Sequence, residues 1–410
     1  MASEIEERAG GRGPGPSTNG RIESAERSGE ELILPADSSI DPTLSVVMPT
    51  LNEEAGIGHC IERIRAAVEE LGVYAEIIVS DSSDDRTPEI AASMGAIVLE
   101  PEGLGYGYAY RYAFERCRGD YIAMGDADTT YDFGDVPELF DLVSNGDADV
   151  AMGSRLRGEI RDGSMPPLHR YVGNPFLTRF LNVFYGAGVS DAHSGLRVFT
   201  REALEEMDLE TNGMEFASEM IMKAGARGLT IEEVPIVYHE REGEEKLDSL
   251  SDGWRHVRFM LLNAPGYLFS IPGVMLGLVG VFIMGVVYGG VSIGSAAFGT
   301  NSLIAGSLLV ILGTQVASLG IFSAVASDPI RRPTDRITTW LTEHVTLEQG
   351  AGLGLALYAA GAVYATVLIT RWIASGFQAV PTAASALLAF TTIVIGVQTV
   401  FFSFFLGSIR

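Results

Sequence analysis

The apolar positions of this chain change character once along its length. Up to about residue 240 they come as short runs alternating with helical spacings; from about Tyr267 they merge into long, nearly uncharged runs. In the first part, apolar runs at 44–50, 75–80, 96–99, 121–124 and 149–155 predict buried strands. Between them, residues 53–71 place Ile57, Ile61, Ile64 and Val68 at helical spacing, and 88–94 and 107–117 also read as helices. Alternating strands and helices with near-continuous apolar strands predict an α/β, Rossmann-like domain with a mostly parallel sheet covered on both faces. Beyond residue 155 the pattern is less regular, and 229–238 reads as an edge-like strand.

Four apolar stretches follow, at 267–291, 302–326, 353–373 and 382–406, with Arg371 the sole charge inside them. Each exceeds the roughly 20 residues needed to cross the hydrocarbon core, so an all-α membrane domain with four transmembrane helices is expected. The connection at 327–336 is basic at its start, whereas 294–300 and 376–381 carry no charge. The excess of arginine marks the cytoplasmic side. The soluble domain, the middle loop and both termini are therefore expected in the cytoplasm, with Arg371 snorkelling to the outer interface of the cell membrane. Residues 250–266 read as an interfacial juxtamembrane helix, with Trp254, Arg255 and Arg258 at headgroup level and Val257, Phe259 and Leu261 dipping inward. The expected divisions are a disordered acidic tail (1–42), a catalytic domain (43–249), the juxtamembrane helix (250–266) and the membrane domain (267–410).

Charge narrows the function. A net charge of −25 would repel polyphosphate and excludes a general nucleic-acid-binding surface. Lysine occurs only at 223 and 246, arginine supplying the other cations, and an acidic, lysine-poor surface suits a protein working in high salt. Cys60 and Cys117 have neither disulfide nor metal-ligand spacing and read as small apolar fillers. The tail lacks the apolar core of a signal peptide.

The chemistry concentrates where strands end. Asp126 and Asp128 follow the apolar strand 121–124, one residue apart, and on extended backbone such residues point to the same side. Oxygen ligands alone suit a hard ion such as Mg²⁺, which keeps few protein ligands and completes its shell with phosphate and water. Two acidic residues after a strand equally describe a solvated turn. Here, however, three strand ends carry polar clusters, at 50–54, 81–85 and 126–128, and ligands of parallel sheets bind at those ends. Further on, Arg155, Arg157, Arg161, His169, Arg170 and Arg179 crowd together and predict a pocket for an anion, against the plainer reading of a charged helix surface.

The segments 46–54 (Val-Val-Met-Pro-Thr-Leu-Asn-Glu-Glu), 79–87 and Gly-Asp-Ala-Asp at 125–128 resemble family 2 glycosyltransferases of the GT-A fold. Gly-Ser-Arg at 153–155, 191–197, 213–219 and 238–246 resemble its dolichyl-phosphate hexose (mannose or glucose) synthase branch, archaeal type, over about half the chain. The resemblance implies transfer of a hexose from a nucleotide sugar, UDP- or GDP-linked, to dolichyl or another polyprenyl phosphate. Glucose is the first expectation and mannose the next; protein glycosylation is the setting the branch implies. Matched position by position, Pro49, Asn52 and Glu53 line the nucleotide pocket and Asp81 holds the base or ribose. Asp126 and Asp128 coordinate Mg²⁺ or Mn²⁺, with Thr130 as a poorer third ligand. Arg155 and Arg170 grip the acceptor phosphate, Ser194 and Arg197 shape the floor, and Arg241 and Lys246 contact phosphates from the loop leading to the membrane. The residue types fit: guanidinium forks bind phosphate bidentately and stay charged. A phosphate monoester, with a second pKa near 6, needs positioning more than deprotonation. Glu215 or Glu219 is expected either to bond sugar hydroxyls or to belong to a charged helix face.

A processive polysaccharide synthase shares the sheet, but its Gln-x-x-Arg-Trp signature is met only by Leu368-Ile-Thr-Arg-Trp372, which lacks the Gln and lies inside a span. The glycines at 103–107 follow the third strand and miss the dinucleotide spacing, which argues against a nicotinamide enzyme. A catalytically dead, membrane-tethered sugar-nucleotide sensor is opposed by the intact Asp126, Asp128 and Arg155.

Overall fold

The computed structural model describes residues 29–242, 249–264, 266–290, 298–326, 340 and 346–409. Lys246, most of the tail and the connection at 327–336 lie outside the described residues. The chain divides into two compact units, Met1–Phe259 and Met260–Arg410.

The first unit runs α1 (Gly29–Leu32), β1 (Leu44–Thr50), α2 (Ile57–Leu71), β2 (Ala75–Asp81), α3 (Thr87–Ser93), β3 (Ile97–Leu99), α4 (Tyr106–Phe114) and β4 (Tyr121–Met124). It continues with α5 (Val136–Ser144), β5 (Val150–Ile160), α6 (Asn174–Tyr185), β6 (Arg197–Thr200), α7 (Arg201–Met207), α8 (Phe216–Arg227) and β7 (Ile231–Tyr238). Helix α9 (Ser249–Leu262) follows. The seven strands lie in the order β3-β2-β1-β4-β6-β5-β7. The pairs β1–β2, β1–β4, β2–β3 and β5–β7 are parallel, while β6 runs antiparallel to both neighbours. This is the mostly parallel GT-A sheet, with two apolar layers on its faces.

Local sequence explains the elements. Helix α2 buries Ile57, Cys60, Ile61, Ile64, Ala67, Val68 and Leu71, a stripe at three- and four-residue intervals, and stops at Gly72 in the left-handed conformation (φ 61°). Strands β1, β2 and β4 are buried nearly throughout, as their unbroken apolar runs require. β6 escapes the pattern because it has four residues and begins at an arginine. The fold also starts earlier than the expected tail boundary. Leu32 and Leu34 are buried, Ile33 bridges to Ala75, and Leu34 N donates to Ala75 O at 2.7 Å. Arg118 clasps this strap through the carbonyls of Pro35 and Ser38 and also meets the buried Glu76 carboxylate at 2.8 Å.

Register places the site. β1 and β2 end together with Thr50 opposite Asp81, and β4 ends opposite Val47, so the loops after all three open on one edge. On the other half, β5 and β7 slip register between Ser154 and Glu159. That irregularity begins at Arg155 and opposite Pro235, which edge strand β7 accommodates. An isolated bridge from Tyr131 to Tyr238 ties the segment after the two aspartates to the end of β7.

Among its described residues the second unit has four helices long and apolar enough to span a bilayer: Leu268–Tyr288, Thr300–Ser323, Leu347–Ala374 and Ala383–Ser408. They pair first with second and third with fourth at glycines. A Cβ on Gly313 would stand 2.4 Å from Gly277 N, and one on Gly396 would stand 2.4 Å from Tyr358 N. Such close backbone approach supplies the packing that replaces hydrophobic driving force in lipid. Ser307 and Thr391 hydroxyls meet at 2.6 Å between the second and fourth helices. The third helix begins six residues before the apolar run, at a capping box of Thr346 and Gln349, a polar first turn that hydropathy alone overlooks.

Candidate active site

The loop edges of the first unit enclose one cavity of about 1180 Å³. Pro49, Glu53, Asp126, Asp128, Thr130, Arg155, Arg197 and Arg241 all line it. Residues as far apart in sequence as Pro49 and Arg241 thus meet in one place.

Asp126 stands just beyond β4, where Tyr106 donates its hydroxyl to Oδ1 at 2.9 Å. Burial, reinforced by the neighbouring Asp128 carboxylate, pushes its pKa up to about 7. Asp128 accepts from Thr130 N at 3.1 Å and from Thr130 Oγ1 at 2.5 Å, both on Oδ1. Thr130 therefore orients a carboxylate instead of adding a third ligand of its own. Arg241 Nη1 lies 3.5 Å from the other oxygen, Oδ2, and its Nη2 donates to Glu53 at 2.6 Å. Among the described residues no group of three or more His, Cys, Asp or Glu forms a metal cage. Two crowded carboxylates with little protein ligation are what Mg²⁺ or Mn²⁺ accepts when phosphate oxygens and water complete the shell. The donor set fits such an ion, held by Asp126 and Asp128. The ion would supply Lewis-acid neutralisation of a diphosphate.

At the other wall, Arg155 is buried and bound bidentately by Asp191, Nε to Oδ2 at 2.7 Å and Nη2 to Oδ1 at 2.9 Å. Its backbone N–H also reaches Asp191 Oδ2, and the guanidinium stands 5.2 Å from the Tyr238 ring centre. Burial alone would raise the Asp191 pKa; the Arg155 guanidinium overrides that and holds the carboxyl below the usual range. Asp191 is in turn fixed by Glu233, which accepts from its N–H at 3.0 Å. Arg155 is thus a preset fork, with Nη1 lacking a partner among the described residues. Arg197 is wholly buried and donates to the carbonyls of Ala192, Ser194 and Ala217. No carboxylate is hydrogen-bonded to it among the described residues, so carbonyls alone hold its charge at the cavity floor, with Asp191 acting on it from a distance. Ser194 Oγ is buried without a partner in the described structure.

Other expected residues are placed differently. Asp81 is buried but engaged by Thr50 Oγ1 (2.7 Å) and by Ser83 N and Oγ, so it props the pocket from behind. Asn52, at φ 55°, accepts from Asp84 N at 2.8 Å and joins the first two loops. Arg170 donates to Ile160 O at 3.4 Å and packs against Tyr171, and it does not line the cavity. Arg241 belongs with the acidic pair, not with the acceptor cations. Glu219 spends its carboxylate on Glu210 N, Thr211 N and Lys223, holding a loop, and Glu215 does not line the cavity.

Tyr106, Asp191, His193, Ser218 and His256 were not singled out from sequence. The signal for Tyr106 lay in the glycines around it. A Cβ at Gly105 or Gly107 would run into the carbonyls of Asn212 or Thr211, so those glycines permit close chain approach that seats Tyr106 beside Asp126. The mouth of the cavity is apolar, with Leu104, Leu168, Val172, Phe176, Trp254 and Val257.

A GT-A sheet with paired carboxylates at its carboxyl edge, joined in one chain to four spanning helices, defines a multi-pass membrane glycosyltransferase. Residues 45–208 match the glycosyl transferase family 2 model and 321–410 the glycosyltransferase family 2 C-terminal transmembrane region. The low-salt glycan biosynthesis hexosyltransferase Agl6 of Haloferax volcanii is 60% identical over 96% of this chain and 95% of its own length. A dolichyl-phosphate hexose transferase of the same archaeon is 38% identical over 51% of this chain and 89% of its own. The chain belongs to glycosyltransferase family 2 and is a hexosyltransferase related to the archaeal dolichyl-phosphate hexose transferase. Its acidic, lysine-poor composition accords with haloarchaeal relatives. Among solved structures, glucosyl-3-phosphoglycerate synthase from Mycobacterium tuberculosis, crystallised with Mn²⁺, UDP-glucose and phosphoglyceric acid, aligns with 54% of this chain and 79% of its own at 25% identity and a TM-score of 0.44.

Proposed function

We propose that the protein moves a hexose from a nucleotide diphosphate donor to the phosphate of a dolichyl or other polyprenyl lipid at the cytoplasmic face of the membrane, inverting the anomeric carbon. The observation that carries this reading is the polarity of this cavity. Its acidic end holds Asp126, Asp128, Glu53 and Arg241, its cationic wall holds Arg155 and Arg197, and its mouth is apolar. The acidic end suits a metal-bound diphosphate, the cationic wall an incoming anion, and the apolar mouth the first isoprenes of a lipid.

In this mechanism Asp126 and Asp128 would hold Mg²⁺ or Mn²⁺, which when bound would supply Lewis-acid neutralisation of diphosphate charge. Pro49 and Glu53 border the nucleotide, with Asp81 and Asn52 supporting those loops from behind. Arg155 offers Nη1 to the acceptor phosphate while Asp191 fixes its plane, and Arg197 supplies net attraction from below. An acceptor oxygen attacks C1 as the bond from C1 to the donor phosphate breaks, the electron pair leaving with the nucleoside diphosphate. A phosphate monoester already carries an anionic oxygen at neutral pH, so no strong base is required. Arg241, tied to Glu53 and Asp128, sits where it meets the donor diphosphate. The domain limits 43–249 and 267–410, with the strap from residue 32 added to the first, follow from the same reading.

The test is incubation of purified protein with Mn²⁺, polyprenyl phosphate and radiolabelled nucleotide hexoses, followed by lipid extraction. A mild-acid-labile glycolipid is expected from one donor, UDP-glucose first among them. Label recovered only in free sugar or in polymer contradicts the assignment.

A further inference from the structure

Two histidines that the mechanism above does not use meet at the cavity wall. His193 comes from the loop between α6 and β6, and His256 from α9. Both line the cavity, their ring centres 4.9 Å apart in an edge-on arrangement. Ser218 of α8, wholly buried, joins them: its Oγ lies 3.0 Å from His193 Nε2 and 2.8 Å from His256 Nδ1. A serine hydroxyl has one proton and can donate to one of these nitrogens only, so at least one imidazole must give it an N–H. The two tautomers are therefore set jointly.

The remaining nitrogen of His193, Nδ1, is buried with no hydrogen-bond partner among the described residues. A buried polar atom left without a hydrogen bond is costly, and such an atom is explained when a partner arrives. The groups facing His193 are Asp191 on its own loop, Arg155 on β5, Arg197 on β6 and His256 on α9. Apart from Asp191, which Arg155 already claims, the described groups acting on His193 are two guanidinium groups and an imidazole.

The geometry points to His193 and His256, bridged by Ser218, as a second phosphate-recognition element of the acceptor site, in which imidazole N–H groups complement the Arg155 fork on the acceptor's anionic head. This rests on the lipid-phosphate reading and deepens it. Burial, with His256 adding to it, keeps His193 neutral, its pKa well below the ordinary value. An arriving anion favours the charged imidazole and so raises that pKa. Binding then takes up protons, and affinity tightens as pH falls from 8 toward 6.5, before the phosphate's own second ionisation near 6 opposes it.

Farnesyl phosphate is the probe, titrated calorimetrically into the full-length protein in two buffers of different ionisation enthalpy. The wild type is expected to show proton uptake. His193→Gln and Ser218→Ala are expected to lose it and to bind about tenfold more weakly, the weight of one hydrogen bond to a charged group. Donor KM should hold in both, which separates loss of this element from misfolding, and His256→Gln provides a second variant on a different element. Unchanged affinity and unchanged proton uptake in all three variants would overturn the histidine assignment alone. A wild type that does not bind the probe overturns the lipid-phosphate reading itself.

Discussion

Asp128→Ala is expected to abolish hexose transfer while leaving a folded protein. Burial, with the neighbouring Asp128 carboxylate adding to it, raises Asp126 to about 7, so removing Asp128 relieves part of that strain in the free enzyme. The thermal midpoint should therefore stay within roughly a few degrees of wild type. Activity should fall by about 10³-fold or more, because Lewis-acid neutralisation of the departing diphosphate contributes several kcal/mol to the transition state and each 1.36 kcal/mol is tenfold. Mn²⁺ affinity, read by electron paramagnetic resonance, should fall with it. Retained turnover with purified donor and lipid would remove the metal from the account.

Asp191 is the residue whose loss should most change the acceptor side. Its carboxylate makes three contacts with Arg155, through Nε, Nη2 and the backbone N–H. Asp191→Ala leaves a buried guanidinium without its counter-charge, a loss of about 3–5 kcal/mol for ion pairs of this kind. A lowered melting temperature is the expected first reading. Asp191→Asn keeps an oxygen to accept from Arg155 and the shape of the side chain, so it should fold. With the fork no longer fixed by charge, the acceptor KM is expected to rise by about tenfold or more and the donor KM to change little. An Asn variant with wild-type acceptor KM would show that Arg155 is held for packing, not for phosphate.

Sequence periodicity revealed the first half of the sheet because β1, β2 and β4 are buried on both faces and read as unbroken apolar runs. The second half was less legible. β6 is four residues long, and β5 continues past Arg155 as an exposed arm with a register slip, so neither carries the pattern. The membrane helices were visible in length and number, whereas their glycine contacts depend on which faces meet. In the candidate site, Asp126 and Asp128 were legible as two carboxylates just beyond an apolar strand, although the chain bends from residue 127 and is not extended there. Asp191 and Ser218 were not, because their meaning lies in partners 36 and 38 residues away. Arg170 and Glu219 show the reverse: residue type and motif match were right, yet one reaches a backbone carbonyl and the other a loop.

In the proposed function, one pair of aspartates grips a divalent ion against the donor's diphosphate. Anomalous scattering at the manganese edge, from crystals holding Mn²⁺ and the accepted nucleotide hexose, tests it most directly. A single strong peak is expected between the carboxylates of Asp126 and Asp128 and the donor's phosphate oxygens, with Arg155 across the cavity. A peak bound by other side chains, or a donor diphosphate seated away from both aspartates, would contradict it.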